Sequence, residues 1–170
     1  MRKYIIIAAR GILVAAIIFW MMTIFGFSAA EGDVSQSTSD IITGEVIEHF
    51  VEEYEEMPIP QQEILWNKIS FVVRKIGHFG EYSILAVLIL MLMLTFEKVR
   101  HNYRWLIIDC IICFLYAVTD EFHQSFVAGR SARIMDVFID TSGSLIVVAV
   151  AIISVHFLNL HTEEKQQQKR

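Results

Sequence analysis

Charge is what this chain has least of. Asp, Glu, Lys and Arg make up 19% of its 170 residues while 55% are hydrophobic, and the mean hydropathy is +0.50. An average soluble domain carries about a quarter charged residues, so a water-soluble globule built from this chain would lack the side chains to cover itself. Proline is nearly absent, with both copies in "MPIPQQ", so helices elsewhere meet no proline break. Eight glycines give no fibrous period, and the only biased tract is the polar tail "HTEEKQQQKR". A net charge of -5 excludes nucleic acid as a partner, because phosphate binding needs a basic patch. Cysteine occurs twice, as Cys110 and Cys113. Their C-x-x-C spacing admits a redox or zinc reading, yet it falls mid-run in "LIIDCIICFLYAV", where no charged partner lowers a thiol pKa. Apolar packing is the better reading.

What is abundant is the long apolar run. A bilayer core needs about 20 such residues per helix, and four segments qualify: Tyr4 to Phe27, Phe79 to Phe96, a short one from Trp105 to Thr119, and Ile134 to Leu160. The fold class expected is an all-α membrane protein of four transmembrane helices, with an external amphipathic helical segment between the first and second. In residue terms this gives a first transmembrane helix at 1–27, the external segment at 28–78, a three-helix core at 79–160 and a polar tail at 161–170. The N-terminus also resembles a secretory signal, with Arg2 and Lys3, an apolar run and Ser28-Ala29-Ala30. The run is longer than a signal h-region, which favours a retained helix.

Cation placement sets the orientation. Eight Lys and Arg precede the first helix, follow the second or follow the fourth, against five on the opposite side, where ten acids lie between Glu31 and Glu63. Both termini are therefore expected in the cytoplasm. In the acidic segment, Ser37 or Ser39 is expected to cap an amphipathic helix running through Glu56, which "MPIPQQ" interrupts. A second amphipathic stretch then leads to the second membrane helix.

This topology brings ionisable residues of three distant segments to one membrane level. The second helix carries Lys75, His78, Glu81 and Tyr82 at its external end. The third delivers Asp120, Glu121, His123 and Gln124 there, and the fourth begins with Arg130, Arg133, Asp136 and Asp140. Lys75, His78 and Tyr82 share one helical face, as do Asp120, His123 and Gln124. Gly143 allows close helix approach. Intramembrane ionisable groups are costly and pair in bundle interiors. One reading is a structural network, with Lys75 and Arg130 neutralising acids. The other is a polar pocket, open to the outside, for an anionic or amphiphilic ligand, with membrane lipids as neighbours. His78-x-x-Glu81 and Glu121-x-His123 offer metal-type ligands, but the order differs from the Glu-x-x-His of di-metal bundles and Lys75 and Arg130 oppose a cation. Neither metal nor cofactor is expected. Arg10 and Asp109 stand at matching depth in the first and third helices and are expected to form a buried ion pair.

The blocks "KIGHFGEYSILAVLI", "DEFHQSFVAGRSARIMDVFIDTSG" and "IFGFSAAEGDVS" together resemble the VanZ-like family of small bacterial membrane proteins. The early block departs most, reading "AAEG" where the family often shows a Gln-containing "SSQPG". Matched residue by residue, the resemblance carries over Lys75, His78, Phe79, Glu81, Tyr82, Asp120, Glu121, His123, Gln124, Phe126, Gly129, Arg130, Asp136 and Gly143. It implies a multi-pass protein of the bacterial cytoplasmic membrane. Its namesake's link to low-level teicoplanin resistance implies either such protection or the handling of a lipid-linked envelope component. The alternative is a membrane enzyme acting on a phosphorylated or lipid substrate, in which Arg130 and Lys75 hold phosphate and His78 or His123 moves a proton.

Overall fold

A computed structural model of the chain describes residues 2–30, 32–130 and 132–167, with the side chains of 2, 32–35, 100, 101, 103 and 155–167 outside that description. The last three residues of the polar tail also lie outside it. Every regular element among the described residues is helical: α1 (Arg2–Ala29), α2 (Gly32–Phe50), α3 (Ile59–Met93), α4 (Glu97–His101), α5 (Ile107–Gln124) and α6 (Ile134–Gln167), with 3-10 turns at Tyr54–Glu56 and Tyr103–Leu106.

The helix boundaries follow local chemistry. Pro58 caps α3 and Pro60 stands in its first turn, where the missing N–H breaks no bond. The Asn102 side chain accepts from the Arg104 N–H at 3.1 Å and starts the turn that leads into α5. Two expectations for the acidic segment change. α2 begins at Gly32, so Ser37 and Ser39 are helix-interior residues rather than caps, and it ends at Phe50 rather than Glu56. The break comes from Glu53, whose φ of 62° is left-handed, followed by the 3-10 turn. The second amphipathic stretch is no separate element either. Nothing between Trp66 and Met93 interrupts hydrogen bonding, so α3 runs unbroken through residues 78 and 79, where the sequence reading changes from external segment to core.

α3 is the hub, packed against α1, α2, α5 and α6. The main core joins Ile24, Tyr82, Leu85, Ala86, Ile89, Cys113 and Ala117, and a smaller cluster joins Leu106, Cys110 and Val148. Small residues let these helices approach closely. At Gly143 a Cβ would stand 2.6 Å from the Phe79 carbonyl oxygen and 2.8 Å from Ser83 Oγ, so the α3–α6 crossing needs glycine there. α1 is tied in by Trp20 Nε1, which donates to the Glu81 carbonyl at 2.9 Å, and by Tyr116 Oη, which donates to the Met21 carbonyl at 2.6 Å.

Among the described residues three helices are long and apolar enough to cross a membrane: Lys3–Ala29, Ile59–Met93 and Ile134–Ser154. α5 falls outside this set because its 18 residues include Asp109, Asp120 and Glu121. The two cysteines are free and buried, and Cys113 Sγ donates to Asp109 Oδ1 at 3.6 Å.

The expected Arg10–Asp109 ion pair is not formed. Arg10 instead reaches the part-buried segment just past the end of α3, where Nε donates to Thr95 Oγ1 and Nη2 to the Thr95 carbonyl, both at 2.9 Å. Its guanidinium also sits 3.9 Å from the centre of the Phe96 ring. A helix C-terminus offers orphan carbonyls and a partial negative charge. Arg10 therefore finds an acceptor near the helix end without a second buried charge. Asp109 is fully buried, with Oδ2 unpartnered among the described residues.

Candidate functional site

Four helix ends or middles converge on one level of the molecule: the C-terminus of α1, the middle of α3, the C-terminus of α5 and the N-terminus of α6. α5 stops at Gln124, and the connection turns back at Gly129, whose φ of 72° is left-handed and favours glycine. This turn presents Arg130 to α1 rather than to an acid. Its Nη2 donates to the Phe27 carbonyl at 2.8 Å and its Nε to the Ala30 carbonyl at 3.2 Å. Arg130 thus caps α1 by answering carbonyls its last turn cannot satisfy.

Over α3, the end of α1, α2, the end of α5 and the α5–α6 connection line a cavity of about 390 Å³. Its polar wall holds Arg74, His78, Glu81, Asp120, Gln124 and Arg130, with the α2 hydroxyls Thr38 and Ser39, and Phe27, Ala30, Ile42 and Val73 supply the apolar wall. Gln124 Nε2 donates to Asp120 Oδ2 at 3.1 Å, while Oδ1 makes no well-formed hydrogen bond although the Ser28 hydroxyl of the same wall is close enough to act on the carboxylate. Arg74 is steadied by α2, its Nη1 donating to Gln36 Oε1 at 2.7 Å. Burial lowers the Arg130 pKa below its ordinary value; Asp120 pulls it back and nearby Arg74 adds to the fall.

Of the ten site residues expected from sequence, five line this cavity: His78, Glu81, Asp120, Gln124 and Arg130. Lys75 turns to the opposite side of α3, where its Nζ is ion-paired with Asp136 of α6. Glu121 points away as well, and its Oε2 accepts from the Arg133 N–H at 2.8 Å. Tyr82 is fully buried in the core, its ring 6.0 Å from that of Tyr116. The His123 ring packs 4.4 Å from Phe25 on α1. Helical spacing placed these residues on common faces, but the neighbours that claimed each face came from helices remote in sequence.

His78 links the two sides, since it lines the cavity while its Nδ1 lies 3.4 Å from the fully buried Asp140 Oδ1. The contact is electrostatic rather than a hydrogen bond, since His78 Nδ1 and both Asp140 oxygens are buried without a hydrogen-bond partner among the described residues. The sequence reading gave no site role to Arg74, Thr38, Ser39 or the α1 carbonyls. Arg74 had a signal, standing one helical turn before His78; backbone carbonyls have none. Among the described residues no three His, Cys, Asp or Glu side chains converge as a metal site would require.

The fold and site define an all-helical protein with membrane-compatible helices and buried ionisable groups gathered at one end. A sequence profile of the VanZ/LLP1 family matches residues 13–156, and the chain belongs to that family. No curated protein and no solved structure matches it.

Proposed function

We propose that the chain is a multi-pass protein of the bacterial cytoplasmic membrane, with both termini in the cytoplasm, the cavity facing outward and α5 as a fourth span. The charges of α5 lie near its ends, and its 18 residues rise about 27 Å, close to the thickness of a hydrocarbon core. Ile107, Ile111, Leu115, Val118 and Phe122 are exposed on it, the apolar surface that lipid would cover. The cation asymmetry supports the orientation.

The cavity receives an amphiphilic or lipid-linked component of the cell envelope, and through it the protein protects against teicoplanin-type glycopeptides. The carrying observation is that one cavity joins two guanidiniums and two carboxylates to an apolar wall. Small-ligand sites combine apolar lining with a few convergent polar groups in this manner. The test compares teicoplanin and vancomycin susceptibility in a host lacking the protein, with the intact chain, Glu81→Gln and Arg130→Ala at equal membrane abundance. Intact protein should raise the teicoplanin concentration needed for inhibition, and both variants should lose that protection. Absence of protection by the intact chain would sink the resistance reading.

The His78–Asp140 pair favours a second reading, in which the same cavity converts a phosphorylated or lipid substrate. His78 would move the proton, with Asp140 beside it to favour its charged form, while Arg130 and Arg74 hold the phosphate. Lys75 drops out of that role because it is committed to Asp136. Turnover of a lipid-linked phosphate that disappears in His78→Gln, with the fold retained, would support it.

A further inference from the structure

The cavity presents charges of both signs along α3. Arg74 and Glu81 both line it and are seven residues apart, about two turns and roughly 10 Å along the axis. Arg130, held by the α1 carbonyls, and Asp120 of α5 add one charge of each sign, and Arg130 feels both Asp120 and Arg74. The Glu81 carboxylate is half-buried and makes no hydrogen bond or ion pair among the described residues. Asp120 is only 4% exposed, and its Oδ1 has no well-formed hydrogen bond, with the Ser28 hydroxyl as a neighbour. A buried carboxylate oxygen without a donor is costly.

An anion alone would satisfy the guanidiniums and be repelled by Glu81 and Asp120. A cation alone would meet the reverse. A quaternary ammonium would neutralise the acids but bring no N–H to Asp120 Oδ1. We propose that the cavity seats a zwitterionic phospholipid head of the phosphoethanolamine type, with phosphate on Arg74 and Arg130 and the primary ammonium on Glu81 and Asp120. Phe27, Ile42 and Val73 receive the first carbons of the tails. The assignment rests on the amphiphile reading above and names the ligand class for it.

The test is native mass spectrometry of the detergent-solubilised full chain given equal amounts of phosphatidylethanolamine, phosphatidylcholine and phosphatidylglycerol of matched tails. Phosphatidylethanolamine should be retained about tenfold or more over both, the size of one charge-assisted hydrogen bond. Glu81→Gln should erase the preference over phosphatidylglycerol while retaining lipid, and Arg74→Gln should weaken retention of all three. Equal retention by the intact chain, or a preference unchanged in Glu81→Gln, would overturn the zwitterion assignment. Retention of every lipid unaltered by Arg74→Gln would overturn the amphiphile reading itself. Glycerophosphoethanolamine, the same head without tails, should compete poorly; equal affinity for it would exclude a lipid as the source of the head.

Discussion

Arg74 and Lys75 are neighbours on α3, yet they belong to opposite sides of the site. Lys75 is closed against Asp136 on the α6 side, where Glu121 accepts from the Arg133 backbone and Gly143 brings the two helices together. Arg74 reaches the cavity on the α1 and α2 side, where Glu81 and Asp120 keep acceptor capacity uncommitted. One residue of advance turns a helical side chain by about 100°, enough to divide a polar belt into a locked half and an open half. The locked half answers the structural-network reading of the sequence, and the open half carries the proposed pocket.

The comparison breaks first, and by most, on the locked side. Lys75→Met leaves Asp136 buried without its partner and should cost about 3–5 kcal/mol, read as a fall in thermal midpoint of the detergent-purified protein. Lys75→Met with Asp136→Leu should recover much of that loss, because both charges are gone. A mild effect of Lys75→Met alone would mean that the two halves do not differ in kind. Gly143→Ala should come next, at about 1–3 kcal/mol, since a methyl at the crossing meets the Phe79 backbone rather than a side chain that can swing aside. The smallest effect belongs to the open side: Glu81→Gln should shift stability by no more than about 0.5 kcal/mol while altering ligand discrimination. A large loss of stability in Glu81→Gln would place that residue among the locks.

Much of this plan was legible in the sequence. Apolar runs marked the helices, "MPIPQQ" marked their main interruption, and the end at which acids, histidines and Arg130 gather followed from spacing. The close approach at Gly143 was legible too, and the structure shows what it approaches. The rest was hidden because its partners carry no sequence signature. Arg10 was matched to Asp109 by depth and charge, whereas its acceptors are the Thr95 hydroxyl and carbonyl near the end of α3. Arg130 was expected either to neutralise acids or to hold an anionic ligand, and its hydrogen bonds go to two carbonyls of α1. In both cases a charged side chain found a helix terminus, and any helix supplies one. The start of α2 was misplaced for a related reason. Ser37 and Ser39 look like caps by type, but hydroxyls are equally at home inside a helix when they bond backward to a carbonyl, as Thr43 does to the Ser39 carbonyl at 2.8 Å.

The hold of Arg130 on α1 also sets an order of events during synthesis. α1 is the first helix made, but the guanidinium that completes its last turn lies 100 residues further along the chain than Ala30. Until the ribosome has passed residue 130, the nascent protein has an α1 whose terminal carbonyls must be answered by water or lipid. Trp20 and Tyr116 can already tie α1 to α3 and α5 by then, and what waits for residue 130 is the capping of the α1 terminus. Arg130 is therefore the last polar group to join the cavity wall, after α1, α2, α3 and α5 have supplied theirs.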